Sequence, residues 1–418
     1  MVKRRKLGSL LIVVVTCLPI LFSCGNPEKQ NNEVPKLLLI SIDGFHPDYV
    51  EQYETPNIDR LAETGVLADH MVPVFPTKTF PNHYSIATGL YAENSGLIAN
   101  NMYDAEMDEY YSLGNREAVQ ASRWYEGEPI WVTAEKQGVK TAPMFWPGSE
   151  APIGGDHPTY WAPFNQELPY SARVDSVIHW LTMDQDSAPG FITLYFSKVD
   201  TYGHRYGPKS DSVAAAVREV DEQIGYLIDE LDRTGQRESL NMIIVSDHGM
   251  AEVSDERVIL LDQIINLESV EVVDWNPVAM INPKNQIDKE LIYDELKSNE
   301  VNFRVYKKED LPERYHLKNH TRVPEIILIA DLGYSITTSE RLAASDISGE
   351  THGYDNIHPE MHSFFLANGP SFKRGKRTPG FQNIHLYELM AHLLNLEPAP
   401  NDGSLDSLTH ILQPQVDY

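Results

Sequence analysis

The sequence predicts an α/β fold with a central, mostly parallel sheet flanked by helices. Three apolar runs, rich in Leu, Ile, Val and Phe and typical of buried strands, each lead into an aspartate. The runs are Lys36 to Ile42 before Asp43, Phe191 to Val199 before Asp200, and Met242 to Ser246 before Asp247. A helical pattern separates the second run from the third, and the resulting β-α-β unit favours parallel pairing.

The helical patterns are recognised by their ends and by their spacing. Thr55 and Pro56 open one helix as cap and first residue, and Gly65 ends it. A longer helix begins at Ser210 or Asp211 and runs to Gly235, with apolar residues at steps of three and four. This spacing predicts one buried stripe on an otherwise charged helix. A last helix is predicted from about Leu386 to Leu394.

The segment from Glu252 to about residue 340 has a mixed pattern with short strands, such as Glu325 to Ala330, and many charges. We interpret it as an accessory lobe inserted into a single catalytic domain that spans residues 36–412. No repeat period or internal linker divides that domain.

The N-terminus has the pattern of an export signal. Residues 1–23 combine a basic start with an apolar run from Leu10 to Leu21, and residues 24–35 form a polar tether. Cys24 after Leu21-Phe22-Ser23 resembles the lipid-attachment site of bacterial lipoproteins, although Phe22 is bulky for that pattern. We therefore expect an exported protein of a bacterial cell envelope, periplasmic or surface-exposed, anchored to the membrane through lipid on Cys24. Plain secretion is the alternative.

Charge and cysteine content restrict the function further. The formal net charge is −27, from 34 Lys and Arg against 61 Asp and Glu. Because phosphate backbones are bound chiefly through Lys and Arg, a nucleic-acid polymer is not expected as the main partner. The cysteines are Cys17 and Cys24. Removal of the signal leaves no pair for a disulfide, so the core must supply the stability.

Aspartates and histidines at the ends of the predicted strands indicate a metal site. His204 follows Asp200 by four residues, and His248 follows Asp247 directly. Ligands in open α/β sheets gather at the carboxyl ends of strands. Carboxylate oxygens together with imidazole nitrogens suit zinc or a similar divalent ion. A cap or turn role is the alternative for a single aspartate, but three such residues favour the metal site.

The segment from Pro76 to Gly89 provides a candidate nucleophile. Thr77 and Thr79 lie just before a proline-started, helical stretch at Pro81. A helix N-terminus attracts anions, so a phosphate would bind there. A threonine hydroxyl needs a base or a metal to become a good nucleophile. Spacing alone does not separate Thr77 from Thr79.

Several ordered motifs resemble one family. They are Ile42-Asp43-Gly44, Lys78-Thr79-Phe80-Pro81-Asn82-His83-Tyr84, Thr88-Gly89-Leu90-Tyr91, Phe145-Trp146-Pro147-Gly148-Ser149, Asp200 with His204, Ser246-Asp247-His248-Gly249-Met250, and His352-Gly353-Tyr354-Asp355-Asn356. From about Pro35 to Leu412, the chain is similar to the nucleotide pyrophosphatase/phosphodiesterases of the alkaline phosphatase superfamily. The resemblance implies an alkaline-phosphatase-like core.

The resemblance also implies a set of roles. Thr79 is the nucleophile, which forms a phosphothreonyl ester that water then hydrolyses to a nucleoside 5′-monophosphate, and Asn100 donates to a phosphate oxygen. His352 is selected over His358 and His362 only by the family's His-Gly-x-Asp-Asn pattern. Two zinc ions are implied, one held by Asp43, Thr79, Asp247 and His248, and the other by Asp200, His204 and His352.

For the substrate, the resemblance implies a nucleotide or another small phosphodiester. Phe80 matches a residue that packs on a nucleobase, and Trp161, with Tyr160 beside it, stands where relatives have a second aromatic wall. Packing within the core is the alternative for both. Asn101 occupies a place where some relatives have a lysine for the phosphate tail, which weakens a preference for nucleoside triphosphates.

Other functions are less well supported. A phosphomonoesterase needs additional cations, and none occurs from Tyr160 to Phe164. Sulfatases need a Cys- or Ser-x-Pro-x-Arg motif, which the nucleophile segment lacks. A phospholipid-headgroup phosphodiesterase of the same superfamily is a further alternative. An inactive surface-binding protein of this fold would lack a ligand or the nucleophile, whereas all seven expected positions are filled.

Overall fold

The computed structural model describes residues 36–345 and 347–414. The strands are β1 (Lys36–Ile42), β2 (Val66–Ala68), β3 (Met71–Val72), β4 (Asn101–Asp104), β5 (Glu109–Ser112), β6 (Thr141–Met144), β7 (Phe191–Phe196), β8 (Leu240–Val245), β9 (Ala251–Glu252), β10 (Val258–Leu260), β11 (Val270–Asp274), β12 (Val278–Pro283), β13 (Phe303–Lys307), β14 (Ile326–Ala330), β15 (Ser335–Thr337), β16 (Glu350–Thr351), β17 (Phe365–Asn368), β18 (Lys376–Thr378) and β19 (Phe381–Gln382). The α-helices are α1 (Tyr49–Gln52), α2 (Pro56–Thr64), α3 (Thr79–Thr88), α4 (Ala92–Ser95), α5 (Arg116–Val119), α6 (Ile130–Lys136), α7 (Tyr170–Leu181), α8 (Lys198–Tyr206), α9 (Asp211–Thr234), α10 (Lys289–Ser298), α11 (Ser339–Ala344) and α12 (His385–Leu393).

The central sheet has the strand order β18-β2-β17-β8-β1-β7-β6. Strand β1 pairs in parallel with both β7 and β8, and β6 is parallel to β7. Strand β17 is antiparallel to both of its neighbours, so the sheet is mixed but mostly parallel. The expected α/β fold is therefore confirmed.

Both faces of this sheet are covered, as expected for parallel strands. Along β1, Leu37 and Leu39 belong to one hydrophobic core, whereas Leu38 and Ile40 belong to the other. Successive residues of a strand point to opposite faces, so an uninterrupted apolar run is what a doubly covered strand requires. The second core also contains the buried stripe of α9, which is formed by Val213, Val217, Val220, Ile224, Leu227 and Leu231.

Element ends agree with the prediction at β1 and at α9, but not at β7. Helix α9 ends at Gly235, which adopts φ 71° as its C-cap. Such a left-handed conformation favours glycine. Strand β7 stops at Phe196, and α8 starts at Lys198. Asp200 therefore lies in the first turn of a helix and does not directly follow the strand, contrary to the prediction.

The N-terminus of α2 is capped by a side chain of another helix. Thr55 makes no side-chain cap hydrogen bond. The buried carboxylate of Asp221 on α9 accepts hydrogen bonds from the backbone N–H groups of Asn57 and Ile58 instead, at 3.1 and 2.9 Å. Thr55 thus occupies the predicted cap position, but an acidic side chain of another helix satisfies the free N–H groups in place of its hydroxyl.

The accessory segment has its own sheet, with the order β11-β12-β14-β13 and antiparallel pairing. A third hydrophobic core lies against it and includes Ile281, Leu296 and Leu328. Strand β11 ends at Asp274, whose side chain reaches the nucleophile segment.

The predicted export signal, tether and Cys24 lie outside the described residues. Within the described ranges, no helix has the length and apolar character needed to cross a membrane.

Candidate active site

The carboxyl ends of the central strands bring the predicted ligands together. Strands β1 and β8 are in register, with Ser41 opposite Val245, so Asp43 and Asp247 follow neighbouring strand ends. Both aspartates are buried. Asp200 lies in the first turn of α8, and His204 lies one turn further on the same helix, with its Nε2 atom 3.3 Å from Asp200 Oδ1. The spacing of four residues places both side chains on one face.

Histidine Nε2 atoms approach the carboxylates from several directions. His248 Nε2 lies 3.0 Å from Asp247 Oδ2 and 3.5 Å from Asp43 Oδ1. His352 Nε2 lies 3.7 Å from Asp200 Oδ1. The rings of His248 and His352 stack with centroids 3.5 Å apart. All six side chains predicted from the sequence as aspartate or histidine ligands thus lie in one cluster.

Backbone carbonyls hold each of these rings by its other nitrogen. His204 Nδ1 contacts the carbonyl of Glu350 at 2.8 Å, and His352 Nδ1 contacts that of Thr77 at 2.9 Å. His248 Nδ1 lies 3.1 Å from the carbonyl of Gly249. A carbonyl accepts the Nδ1 proton, which leaves Nε2 as the lone-pair atom. This is the arrangement that metal-binding histidines use.

The carboxylates of the cluster lack enough hydrogen-bond donors. Asp43 Oδ1, Asp200 Oδ1 and Asp247 Oδ2 are buried and have no hydrogen-bond partner. Burial raises the pKa of Asp43 well above its usual range, and the charges of Asp247 and Asp200 raise it further. Burial also lowers the pKa of His352 well below its ordinary value, with His248 adding to the effect. Crowded buried carboxylates without enough hydrogen-bond donors are satisfied by a bound cation. These residues therefore fit divalent metal ions.

His83 belongs to the surroundings of the cluster. By proximity alone the potential ligand atoms group as Asp43, His83 and Asp247, and as Asp200, His248 and His352. Both nitrogens of His83 are engaged, however, because Nδ1 lies 2.9 Å from the Thr79 carbonyl and Nε2 lies 2.8 Å from Ser41 Oγ. His83 is therefore placed to fix the turn that carries Thr79.

The structure separates the two candidate nucleophiles. Thr77 is fully buried, and its hydroxyl donates to the carbonyl of Tyr354 at 2.9 Å and accepts from the N–H of Gly353 at 3.0 Å. Thr79 is the first residue of α3, lines a cavity, and has its Oγ1 atom 3.2 Å from His248 Nε2. Of these two threonines, Thr79 is the one whose hydroxyl lies beside the cluster.

Lys78 is not a free cation near the nucleophile. Its ammonium pairs with the carboxylate of Asp274 from the accessory segment, and their side chains are only 6% and 5% exposed. Asn101 donates to the other oxygen of Asp274 at 3.1 Å. Gly353, at φ 111°, has no room for a side chain, because a Cβ atom there would lie 3.1 Å from Lys78 Cε and 2.7 Å from Pro277 Cδ. Through Asp274, the accessory segment therefore contacts Lys78 and Asn101, which precede Thr79 and follow Asn100 in the chain.

Asn100 lies next to the start of α3, where Thr79 is the candidate nucleophile, as predicted. Its Oδ1 atom accepts a hydrogen bond from the backbone N–H of Phe80 at 3.1 Å. That contact fixes the amide and leaves its NH₂ group as a donor for an anion at the start of α3.

The aromatic wall beside Thr79 differs from the prediction. Phe80 lines the cavity as expected, but the other aromatic residues there include Phe145, Phe164 and Tyr195. Tyr195 also donates to Asp43 Oδ2 at 2.5 Å. The signal for this contact in the sequence is a hydroxyl-bearing residue one position before the end of the apolar strand β7.

The prediction for Tyr160 and Trp161 is corrected. Trp161 stacks on His157 with centroids 3.8 Å apart, and the hydroxyl of Tyr160 donates to the carbonyl of Ser187. Neither residue is among those that line the cavity. Phe164, three residues after Trp161, takes the predicted place because the chain turns its ring toward Phe145, 5.3 Å away.

One cation was missed by the sequence analysis. Arg116 lines the cavity, and its guanidinium pairs with the carboxylate of Glu150, which also lines it. The two residues are 34 positions apart, and no local pattern relates them. The cation is therefore largely neutralised by its partner.

Comparison with known proteins gives the family. The family model described as type I phosphodiesterase / nucleotide pyrophosphatase matches residues 37–355. The chain belongs to this family. Phosphodiesterases of this kind are metal-dependent hydrolases, and the cluster of aspartates and histidines is a candidate site for the metal.

Among the family's curated members, bis(5′-adenosyl)-triphosphatases are similar over nearly the whole chain. The protein of Xenopus laevis is 37% identical over 97% of this chain and 87% of its own length. That of Homo sapiens is 39% identical over 97% of this chain and 88% of its own length.

Solved structures of the family have the same fold. Murine ectonucleotide pyrophosphatase/phosphodiesterase 5 aligns with a TM-score of 0.87 and 37% identity, over 90% of this chain and 100% of that one. An inactive variant of the murine protein in complex with AMP aligns with the same TM-score and 36% identity, over 91% of this chain and 100% of that one. The alkaline-phosphatase-like fold implied by the motifs is confirmed.

Proposed function

We propose that this phosphodiesterase releases a nucleoside 5′-monophosphate from nucleotide diesters or anhydrides, with Thr79 as nucleophile and two zinc ions. The observation that carries the proposal is the free hydroxyl of Thr79, 3.2 Å from His248 Nε2 at the edge of the ligand cluster. It also lies at the N-terminus of α3, where backbone N–H groups and the helix dipole favour a phosphate.

We assign the ligands to two ions. Asp43, Thr79, Asp247 and His248 would hold one zinc ion, and Asp200, His204 and His352 the other. Oxygen and imidazole donors in this ratio suit zinc. When bound, the pair of ions would lower the pKa of the threonine hydroxyl and stabilise charge on the phosphate oxygens.

The chain's own residues position the reacting groups. The Thr79 hydroxyl loses its proton to solvent and its Oγ1 atom forms a bond to phosphorus, while the bond to the leaving oxygen breaks and the leaving group departs with that oxygen and the electron pair. Water then hydrolyses the phosphothreonyl ester. Asn100 donates to a non-bridging oxygen of the phosphate, and His83 holds the backbone of Thr79. Loss of one such oxyanion donor costs roughly 3 kcal/mol in the transition state.

The cavity suits the esterified group of a phosphodiester better than the second negative charge of a phosphomonoester. Phe80, Phe145 and Phe164 give it an apolar wall for a nucleoside, and Arg116 is paired with Glu150. A dianionic monoester would need a cation that is not already neutralised. The AMP bound to the murine relative and the bis(5′-adenosyl) substrates named for the curated relatives support an adenosine 5′-phosphate half in this cavity.

Steady-state kinetics test the proposal. On zinc-loaded enzyme, kcat/KM for the p-nitrophenyl ester of thymidine 5′-monophosphate should exceed that for bis-p-nitrophenyl phosphate and p-nitrophenyl phosphate about hundredfold, or about 2.7 kcal/mol. Chelation should abolish the activity, and metal analysis should give two zinc ions per chain. A preference for the monoester would establish a phosphomonoesterase instead, and a preference for glycerophosphodiesters a headgroup phosphodiesterase.

We also propose export and membrane attachment through lipid on Cys24, on the basis of the N-terminal pattern alone. The curated relatives described above are animal proteins. Expression in a bacterial host, followed by fractionation and mass spectrometry of the mature N-terminus, tests this. A Cys24→Ala variant should leave the membrane fraction. An unmodified Cys24, or cleavage elsewhere, would support plain secretion.

A further inference from the structure

A dense group of cations lies at the start of β18, the outermost strand of the central sheet. Four of the five residues from 373 to 377 are lysine or arginine. The chain as a whole has 34 such residues against 61 Asp and Glu, so a cation should find a carboxylate partner easily. The group is called the basic patch below, and its members are Lys373, Arg374, Lys376 and Arg377.

The basic patch is poorly neutralised. Among the described residues, Arg377 has the patch's only carboxylate partner, Asp69, whose Oδ1 atom lies 3.3 Å from Arg377 Nε. The ammonium groups of Lys373 and Lys376 both donate to the carbonyl of His410, at 2.9 and 2.6 Å. Arg374 is exposed. Two ammonium groups that share one acceptor lie close together and repel each other, and an anion placed against them would relieve that repulsion.

The strand directions place the patch away from the catalytic residues. Strand β18 is parallel to β2, both β2 and β8 are antiparallel to β17, and β8 is parallel to β1. Strand β18 therefore runs in the same direction as β1, and its start lies toward the edge of the sheet at which β1 begins. Asp43 and Asp247 follow the opposite ends of β1 and β8. The seven residues of β1 separate the two edges by about 23 Å.

The chain also enters the domain at the edge that carries the patch, because β1 begins there at Lys36. Four strand spacings, or about 19 Å, separate β1 from β18 in the sheet order. The twelve residues from Cys24 to Pro35 can reach at most about 40 Å. A lipid on Cys24 would therefore attach the protein within reach of the patch, on the side away from the catalytic residues.

We propose that the basic patch binds the phosphates of anionic lipid headgroups, so that the anchored protein holds its catalytic edge away from the bilayer. This rests on the membrane attachment through Cys24 proposed above. Lysine and arginine side chains are attracted to an anionic lipid surface, and each contributes about fivefold to binding. A lipid chain together with a basic patch also gives firmer attachment than a lipid chain alone. In this orientation the nucleoside cavity faces the solvent.

Chemical coupling of Cys24 to a lipid tests the orientation. Without the signal, Cys24 is the only cysteine of the chain, so it can be attached to a maleimide lipid in vesicles. The vesicles contain phosphatidylcholine alone or phosphatidylcholine with phosphatidylglycerol. Acetylation by a succinimidyl ester, followed by mass spectrometry, measures the labelling rate of each lysine.

The expected result is protection of the patch on the anionic vesicles. The labelling rates of Lys373 and Lys376 should fall about fivefold relative to the neutral vesicles at low salt, and they should recover at high salt because the attraction is screened. Lys209 is the internal control. It is exposed and lies between α8, which carries Asp200, and α9, so its rate should be the same on both kinds of vesicle.

Two double variants test whether the charges of the patch cause the protection. Lys373→Gln/Arg374→Gln removes two charges and leaves Lys376 as the reporter, whose protection should be largely lost. Lys297→Gln/Lys307→Gln removes the same charge from the accessory segment, where each lysine has a carboxylate partner, and Lys376 should stay protected. Thermal melts of both variants establish that folding is retained.

Equal labelling of Lys376 on the two kinds of vesicle would overturn the proposal. Protection by inorganic phosphate alone on neutral vesicles would also overturn it, because the patch would then be a site for small anions. An unmodified Cys24 in the bacterial host would refute the attachment and with it the orientation in the cell. None of these outcomes bears on the phosphodiesterase activity, which the p-nitrophenyl substrates test separately.

Discussion

On the Thr79 side of the ligand cluster the polar side chains are buried and hydrogen-bonded, whereas on the His204 side they open to solvent. Lys78 and Asp274 have side chains that are 6% and 5% exposed, and the hydroxyl of Thr77 is fully engaged. The side chain of His204 is 40% exposed and lines a cavity. A nucleophile needs one fixed position, because small displacements of the attacking atom are costly. The His204 side does not have to fix an attacking atom, so that side can remain open.

Removal of the Thr79 hydroxyl, the proposed nucleophile, should have the largest effect on activity. Thr79→Ala should lower kcat by at least about 10⁴-fold on all diester substrates, because no other free hydroxyl of residues 36–345 and 347–414 lies beside the cluster. Zinc content and melting temperature should remain close to wild type. Thr77→Ser, which keeps the buried hydroxyl, should retain most of the activity. If Thr79→Ala keeps turnover, or if Thr77→Ser loses it while folded, the assignment of the nucleophile is wrong.

Breaking the pair between Lys78 and Asp274 tests how far the Thr79 side depends on its rigidity. Asp274→Ala leaves a buried ammonium without a partner, which should lower the free energy of unfolding by about 3 kcal/mol. We expect kcat to fall about thirtyfold with little change in KM, because Lys78 and Asn101 flank Thr79 and Asn100. Urea denaturation and steady-state kinetics measure the two effects.

A surface pair provides the matched control for this variant. Glu230→Ala removes the partner of Arg233, whose side chain is 66% exposed. The free energy of unfolding should change by less than about 1 kcal/mol, with unchanged kcat. In the double variant Lys78→Met/Asp274→Leu, stability should return in large part. An unaltered kcat in Asp274→Ala would show that the nucleophile does not depend on this contact.

The smallest expected effect concerns the aromatic wall. Phe164→Ala should raise KM for nucleotide esters about tenfold and that for bis-p-nitrophenyl phosphate far less, since it removes one stacking surface. Trp161→Ala is the control, because Trp161 is close to Phe164 in sequence but stacks on His157 and does not line the cavity. The opposite result, with Trp161→Ala the more damaging change, would restore the wall predicted from the sequence.

The sequence by itself determined the central strands, the long amphipathic helix and the identity of the clustered ligands. Apolar runs and steps of three and four residues report on local structure, and these are correct for β1 and α9. The rule that parallel strands end at one edge then brings Asp43 and Asp247 together. Asp200 was correctly placed in the cluster although the strand predicted before it was too long. The reason is that His204 follows Asp200 by one helical turn, so the two side chains share one face.

Only the tertiary structure decided which of two neighbouring residues is available at the site. Thr77 and Thr79 are equivalent in sequence, but Tyr354 and Gly353, more than 270 residues away, engage the hydroxyl of Thr77. Phe164 replaces Trp161 because the loop after β6 packs its ring against Phe145.

Contacts between residues far apart in the sequence account for the features that were not predicted. Tyr195 contacts Asp43 across 152 residues, and Lys78 contacts Asp274 across 196. Local periodicity depends on neighbours within a turn or a strand, whereas these contacts depend on how whole elements pack. That is the physical reason why the sequence predicts the clustered aspartates and histidines but not the groups that hold and surround Thr79.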